Sequence, residues 1–218
     1  MRALPAVIAL LLAACSSAPA PAWQVSAHDQ LANFTATYLA GDDRFAAAHF
    51  EKALTEIAKT GDPALMGRAL LIRCAVGIAA LTDGDCAVGP VYLKDPENAA
   101  YLALLAGRSP AVKDLPKRYR AFAEALGRGR ADTIAAEVAA IDEPVSRLVA
   151  VGVAVHRGLF DAALLETGAT TASENGWKRP LSAYLLRLKA LYEAAGDTTG
   201  SASVEARLSV IEQGAAAK

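Results

Sequence analysis

The sequence predicts an all-α protein of about ten short helices, folded back on one another as stacked antiparallel hairpins. Three observations carry this. Alanine fills 51 of the 218 positions; it is the strongest helix former, and its small side chain lets helices approach closely. Apolar residues step by three and four: Leu115, Tyr119, Phe122 and Leu126; Leu181, Leu185, Leu188 and Tyr192; Val204, Leu208 and Ile211. Helix breakers recur at short intervals, and strand signals are scarce.

The helix starts are argued one by one. Ser26-Ala27-His28-Asp29 has the form of a capping box with Ser26 as N-cap. Asp62-Pro63 and Asp95-Pro96 place a capping carboxylate before a proline in the first helical position. Asp114 and Asp142 are expected to do similar work two residues ahead of Pro116 and Pro144. Stops are expected at Gly41, Gly61, Gly107, Gly127, Gly158 and Gly196. The expected helices are 27–40, 44–60, 64–81, 96–106, 115–127, 131–141, 144–157, 160–174, 179–195 and 198–213. Val149, Val151, Val153 and Val155 alternate with a strand-like period of two, but Pro144 and Gly158 at the flanks favour a buried helix. Residues 85–94, with Gly89-Pro90, should be irregular.

The N-terminal end reads differently. Met1 and Arg2 precede an apolar run from Ala3 to Ala14. One positive charge followed by such a run fits a secretion signal and is too short for a permanent span. The run closes on Leu12-Ala13-Ala14-Cys15, which resembles the lipobox of bacterial lipoprotein precursors. The resemblance covers the first 17 residues. It implies cleavage before Cys15, acylation of that cysteine and a lipid-anchored mature chain. Ser16, rather than Asp, after the cysteine implies by the same resemblance the outer membrane, periplasmic face. The expected layout is a signal at 1–14, an acylated cysteine and Pro/Ala tether at 15–25, a helical-repeat domain at 26–213 and a frayed tail at 214–218. Trp23 either sits at the lipid headgroups or packs on the first helix.

Charge and cysteine usage narrow the function. Lys plus Arg number 22 against 23 Asp plus Glu; without Arg2 the balance is 21 to 23. A slightly acidic chain is a poor nucleic-acid binder. Beyond Cys15, Cys74 and Cys86 form an even pair, which in an oxidising compartment predicts a disulfide. Closing so short a loop stabilises by about 3 kcal/mol on the chain-entropy account. No metal site is expected, because no histidine or third cysteine accompanies the pair.

Parts of the chain resemble tetratricopeptide repeats. At 185–197, Leu185 takes the tryptophan place, Leu188 and Tyr192 match, and Gly196-Asp197 matches the turn; Lys189, Ser201 and Glu205 depart from the pattern. Gly158, Phe160 and Ala163 match a second partial repeat, with Thr167 where an aromatic is expected, and Gly41, Ala46, Phe50 and Ala53 a third. Residues 64–141 match poorly. The resemblance implies a right-handed solenoid offering a surface to a partner. A compact, non-repetitive bundle is the competing arrangement.

A search for chemistry finds no H-E-x-x-H, no G-x-S-x-G and no phosphate-cradling loop. His28, His49 and His156 fall on three different expected helices. Neither catalytic residues nor a cofactor are assigned. One segment is strongly basic: residues 108–130 carry seven cations, Lys117, Arg118, Arg120, Arg128 and Arg130 among them, for a net +5. It is either the solvated face of an amphipathic helix or a docking patch for an anionic lipid, polymer or protein surface. Trp177, beside Lys178 and Arg179, is either a staple between hairpins or an exposed contact. The expectation is a non-catalytic, outer-membrane-anchored periplasmic adaptor that binds an unidentified envelope protein, in a pilotin-like or assembly-accessory role. The alternative is a periplasmic ligand-binding or cell-wall-lytic domain on a helical scaffold.

Replacing the acylated residue tests the anchor: Cys15→Ser protein should move from the membrane to the soluble envelope fraction. Unchanged membrane association would disprove the lipobox reading.

Overall fold

A computed structural model describes residues 19–82 and 84–216. The expected signal, Cys15 and the start of the tether lie outside them, as does Asp83. Among the described residues there are ten α-helices and no strand. They are α1 (Ala22–Ala40), α2 (Asp43–Ala58), α3 (Pro63–Ala79), α4 (Pro96–Leu105), α5 (Lys117–Arg128), α6 (Ala131–Ala139), α7 (Pro144–His156), α8 (Ala162–Glu174), α9 (Lys178–Ala194) and α10 (Thr198–Ala216). Short 3-10 turns occupy Pro90–Leu93 and Val112–Asp114. No helix among the described residues is long and apolar enough to cross a membrane.

Most punctuation works as the sequence predicts. Asp62 accepts from the Ala64 amide at 2.7 Å, and Asp95 accepts from the Asn98 amide at 3.0 Å. Gly41, Gly61, Gly107, Gly158 and Gly196 follow helix ends in the left-handed region, where a missing Cβ removes the steric cost.

Four local expectations are corrected. Ser26 is no N-cap: α1 starts four residues earlier, with Pro21 in the cap position. The proline holds a fixed φ, and its carbonyl already accepts from the Gln24 and Val25 amides. Asp142 does not cap α7. With Pro144 first in the helix, the cap is the residue just before it, and Glu143 accepts from Val145 and Ser146 at 2.9 and 2.6 Å. Asp114 ends the second 3-10 turn, leaving Pro116 as an α5 cap without a side-chain bond. Gly127 stays helical, and Gly129 makes the stop. At the other end α10 continues to Ala216, past the expected tail boundary at 213.

Neighbouring helices form hairpins: α1 with α2, α8 with α9, and α9 with α10. The three partial repeats fall on the α1–α2, α7–α8 and α9–α10 turns. In the middle the chain makes non-sequential contacts. Helix α3 packs against α7, α4, α1 and α2, and α1 also touches α9. The valine-rich α7 is a helix, and Leu148 to Val155 are all buried. Because apolar side chains face outward all round it, α7 has to sit at the centre.

Gly152 marks the closest approach. A Cβ there would collide with the Ile78 carbonyl of α3. Tyr184 of α9 closes the junction: its ring covers Gly168, where a Cβ would lie 2.8 Å away, and its hydroxyl reaches the carbonyls of Ala79 and Leu148 at 3.1 and 3.2 Å. Cys74 and Cys86 stand at disulfide distance, with Cα atoms 4.7 Å apart, and tie the 85–94 segment to α3.

Gly152→Ala should lower the unfolding free energy by about 3 kcal/mol, because the clash is with backbone rather than a movable side chain. Urea unfolding followed by circular dichroism measures this; an unchanged midpoint would refute the close crossing.

Candidate functional site

Helices α3 and α7, in contact at Ile78 and Gly152, are not packed tightly along their whole length. Between them lies a cleft of about 330 Å³. Its floor is apolar: Leu71, Ile72 and Ala75 from α3, Val145 and Val149 from α7. Tyr101 of α4 and Tyr119 of α5 wall one side, their rings stacked with centroids 5.5 Å apart and their hydroxyls 3.4 Å apart. A second, more open cleft of about 460 Å³ adjoins it, lined by Leu31, Ala32 and Ala36 of α1 and by Trp177. Thr35, Ile72 and Val145 belong to both clefts. The two therefore read as one groove running from the tyrosine pair to Trp177.

The groove's charged groups lie on its rim. Arg118 Nη1 donates to Ser146 Oγ at 3.2 Å and stands 3.9 Å from Glu143 Oε2. Glu143 cannot come closer without leaving the α7 cap, where both its oxygens accept amide hydrogens. Arg68 and Glu97 form an equally loose pair at 3.8 Å. All four charged side chains are about half exposed. Burial pushes the Tyr101 phenol well above its ordinary value and raises that of Tyr119. Both hydroxyls stay neutral across the physiological range.

The residues singled out from sequence divide sharply. Arg118 and Trp177, far apart in the chain, line the same groove. Trp177 is half-buried and packs against two core clusters, so it staples hairpins while one face borders the groove. Arg120 is structural: it donates to the Leu115 and Lys113 carbonyls at 2.9 Å each and holds the turn into α5. Lys117 and Arg128 are exposed on the face of α5 opposite Tyr119 and Phe122, away from the groove. Arg130 pairs with Asp132 at 2.7 Å, and its hydrogen bonds draw that carboxyl down to about 2. The segment 108–130 is thus not one patch. Cys15 lies outside the described residues.

Sequence reasoning missed Arg68, Glu97, Tyr101 and Ser146. No local pattern marks any of them, and only the packing of α3, α4, α5 and α7 brings them together. Among the described residues no group of three or more His, Cys, Asp and Glu side chains converges as a metal site would. His28 is exposed beside Asp29, and His49 bonds Gln30 at 2.8 Å.

No family model matches the chain, and neither curated proteins nor solved structures give a match.

The tyrosines provide a test of the packed groove wall. Burial also raises Tyr184. For all three, the unfolded chain releases its protons near the ordinary phenol value of about 10 while the folded chain retains them. Their contribution to stability is therefore complete below that value and falls as pH rises through and above it. Ultraviolet titration of the folded protein should show Tyr101, Tyr119 and Tyr184 still un-ionised above the ordinary phenol value of about 10. Simultaneous ionisation of all six tyrosines without unfolding would refute it.

Proposed function

We propose that this chain is a non-catalytic adaptor, anchored through acylated Cys15 at the periplasmic face of the outer membrane, whose groove receives part of another envelope protein. The observation that carries the reading is the open groove with an apolar floor and charges confined to its rim. A contiguous apolar surface bordered by polar residues is the form that protein contact sites take.

The carboxylates beside the groove support the same reading. A general acid or base needs a carboxyl held in an apolar setting, with its proton affinity tuned by burial. Glu97 and Glu143 are half exposed, one next to Arg68 and the other capping a helix. Among the described residues the buried polar ones are Asn98, Ser146 and Thr171, and none is ionisable in the relevant range. Asn98 is committed to structure, donating to the Ala64 and Tyr92 carbonyls at 2.9 and 3.1 Å. Arrays of helix hairpins commonly work by presenting a surface to a partner. The position of the three repeat-like stretches at turns between consecutive helices, two of them hairpin turns, supports that assignment here.

In living cells, a photo-crosslinking amino acid at Ala32, in the groove wall, should join the protein to one envelope protein. The same residue at Ala202, on the exposed face of α10, should not, and the Cys15→Ser form should give less product. No adduct at Ala32, or the same adducts from both positions, would overturn the adaptor reading.

A further inference from the structure

We infer that the partner segment received by the groove is apolar and acidic at once, with Arg118 taking its carboxylate. The inference rests on the adaptor reading and adds the partner's chemistry to it.

The floor sets the first half of the requirement. Leu71, Ile72, Val145 and Val149 offer no hydrogen bond, so only apolar side chains gain by entering. Trp177 at the far end has the size and rigidity of a contact anchor.

Arg118 sets the second half. A guanidinium carries five donors in a planar fork. Here it makes one hydrogen bond, to Ser146. Its acidic neighbour gives it little, because Glu143 is held on the α7 amides at 2.9 and 2.6 Å and remains 3.9 Å away. The side chain is 55% exposed and lies on the cleft wall. Free donors beside an apolar floor match a carboxylate, which a guanidinium can hold by two parallel bonds.

The surroundings agree in sign. Arg68, on the same cleft, is also loosely paired, at 3.8 Å. The start of α5, one residue before Arg118, has no side-chain cap, so its free amides add positive potential. Tyr101 and Tyr119, with raised proton affinity, bring no negative charge. Glu97 and Glu143 are the groove's acids, and each faces an arginine. The two arginines and two glutamates balance, so the preference for an anion rests on the open donors of Arg118, on a protein whose overall balance is slightly acidic. Non-specific attraction would favour a cationic segment instead, so the preference has a diagnostic direction.

The test uses the purified mature chain and two synthetic peptides of about four helical turns. Both carry leucine at helical spacing; one has Glu at its polar positions and the other Lys. The Glu peptide should bind about tenfold more tightly, and added salt should narrow the gap. Arg118→Glu should reverse the order. Thr35→Trp, which fills the junction of the two clefts, should abolish binding of both, with circular dichroism confirming that each variant is folded. Equal affinities, a preference for the Lys peptide, a preference untouched by Arg118→Glu, or no binding of either peptide would each overturn the inference. Failure of the crosslink from Ala32 with the Glu-peptide preference intact would remove the adaptor reading alone. Failure of the preference with the crosslink intact would remove only the acidic partner.

Discussion

The crossing of α3 and α7 governs the rest of the structure. These helices are separated by more than sixty residues of chain, yet the backbone of α7 at Gly152 lies directly against the Ile78 carbonyl of α3. Such an approach is possible only without a side chain. It also brings carbonyls near the end of α3 into an interior with little water, where an unsatisfied acceptor is costly. The Tyr184 hydroxyl supplies the missing donor, shared between Ala79 and Leu148. One phenol therefore couples three helices, and Gly168 provides the space for its ring.

The groove follows from that crossing. Where Gly152 of α7 meets Ile78 of α3, the two backbones lie directly against each other. Away from that point a gap remains between the helices, flanked by α1 on one side and by the tyrosines of α4 and α5 on the other. The electrostatics follow from capping. Glu143 is needed at the start of α7 because Pro144 makes it the residue that must accept the first free amides. Held in that way, Glu143 stays 3.9 Å from Arg118 and makes no hydrogen bond to it, so a local helix-end requirement leaves a cation with unused donors beside an apolar floor.

A second constraint acts on the other flank of α3. The Cys74–Cys86 link holds the following loop against the helix, and next to it Asp85 meets Arg73 at 2.6 Å. Arg73 in turn lies over the Phe50 ring of α2, 4.8 Å from its centroid. The loop, α3 and the first hairpin are therefore joined by one covalent and two electrostatic contacts. At the hairpin's far side, Arg179 bonds the Tyr38 carbonyl at 2.7 Å, pairs with Asp43 and covers the Tyr38 ring. This is why α1 touches α9 and the array closes on itself.

What the sequence by itself determined is the set of elements. Each helix is announced within a few residues by its own turn chemistry and periodicity, and ten were legible for that reason. Where boundaries shifted, as at Ser26, Asp142 and Gly127, two neighbouring signals competed and backbone geometry chose the other. The Cys74–Cys86 pairing was legible because no other partner was at hand. The site was legible only in part. Arg118 and Trp177 stood out as residue types, but so did Lys117, Arg120, Arg128 and Arg130, and no local pattern separates a cation on a groove from one that pins a turn or faces solvent. Tertiary structure decided that, along with the α3–α7 crossing and the partnership of Tyr101 with Tyr119. Contacts between helices distant in the chain depend on which faces are buried together, and a residue's own neighbours in sequence carry no record of that.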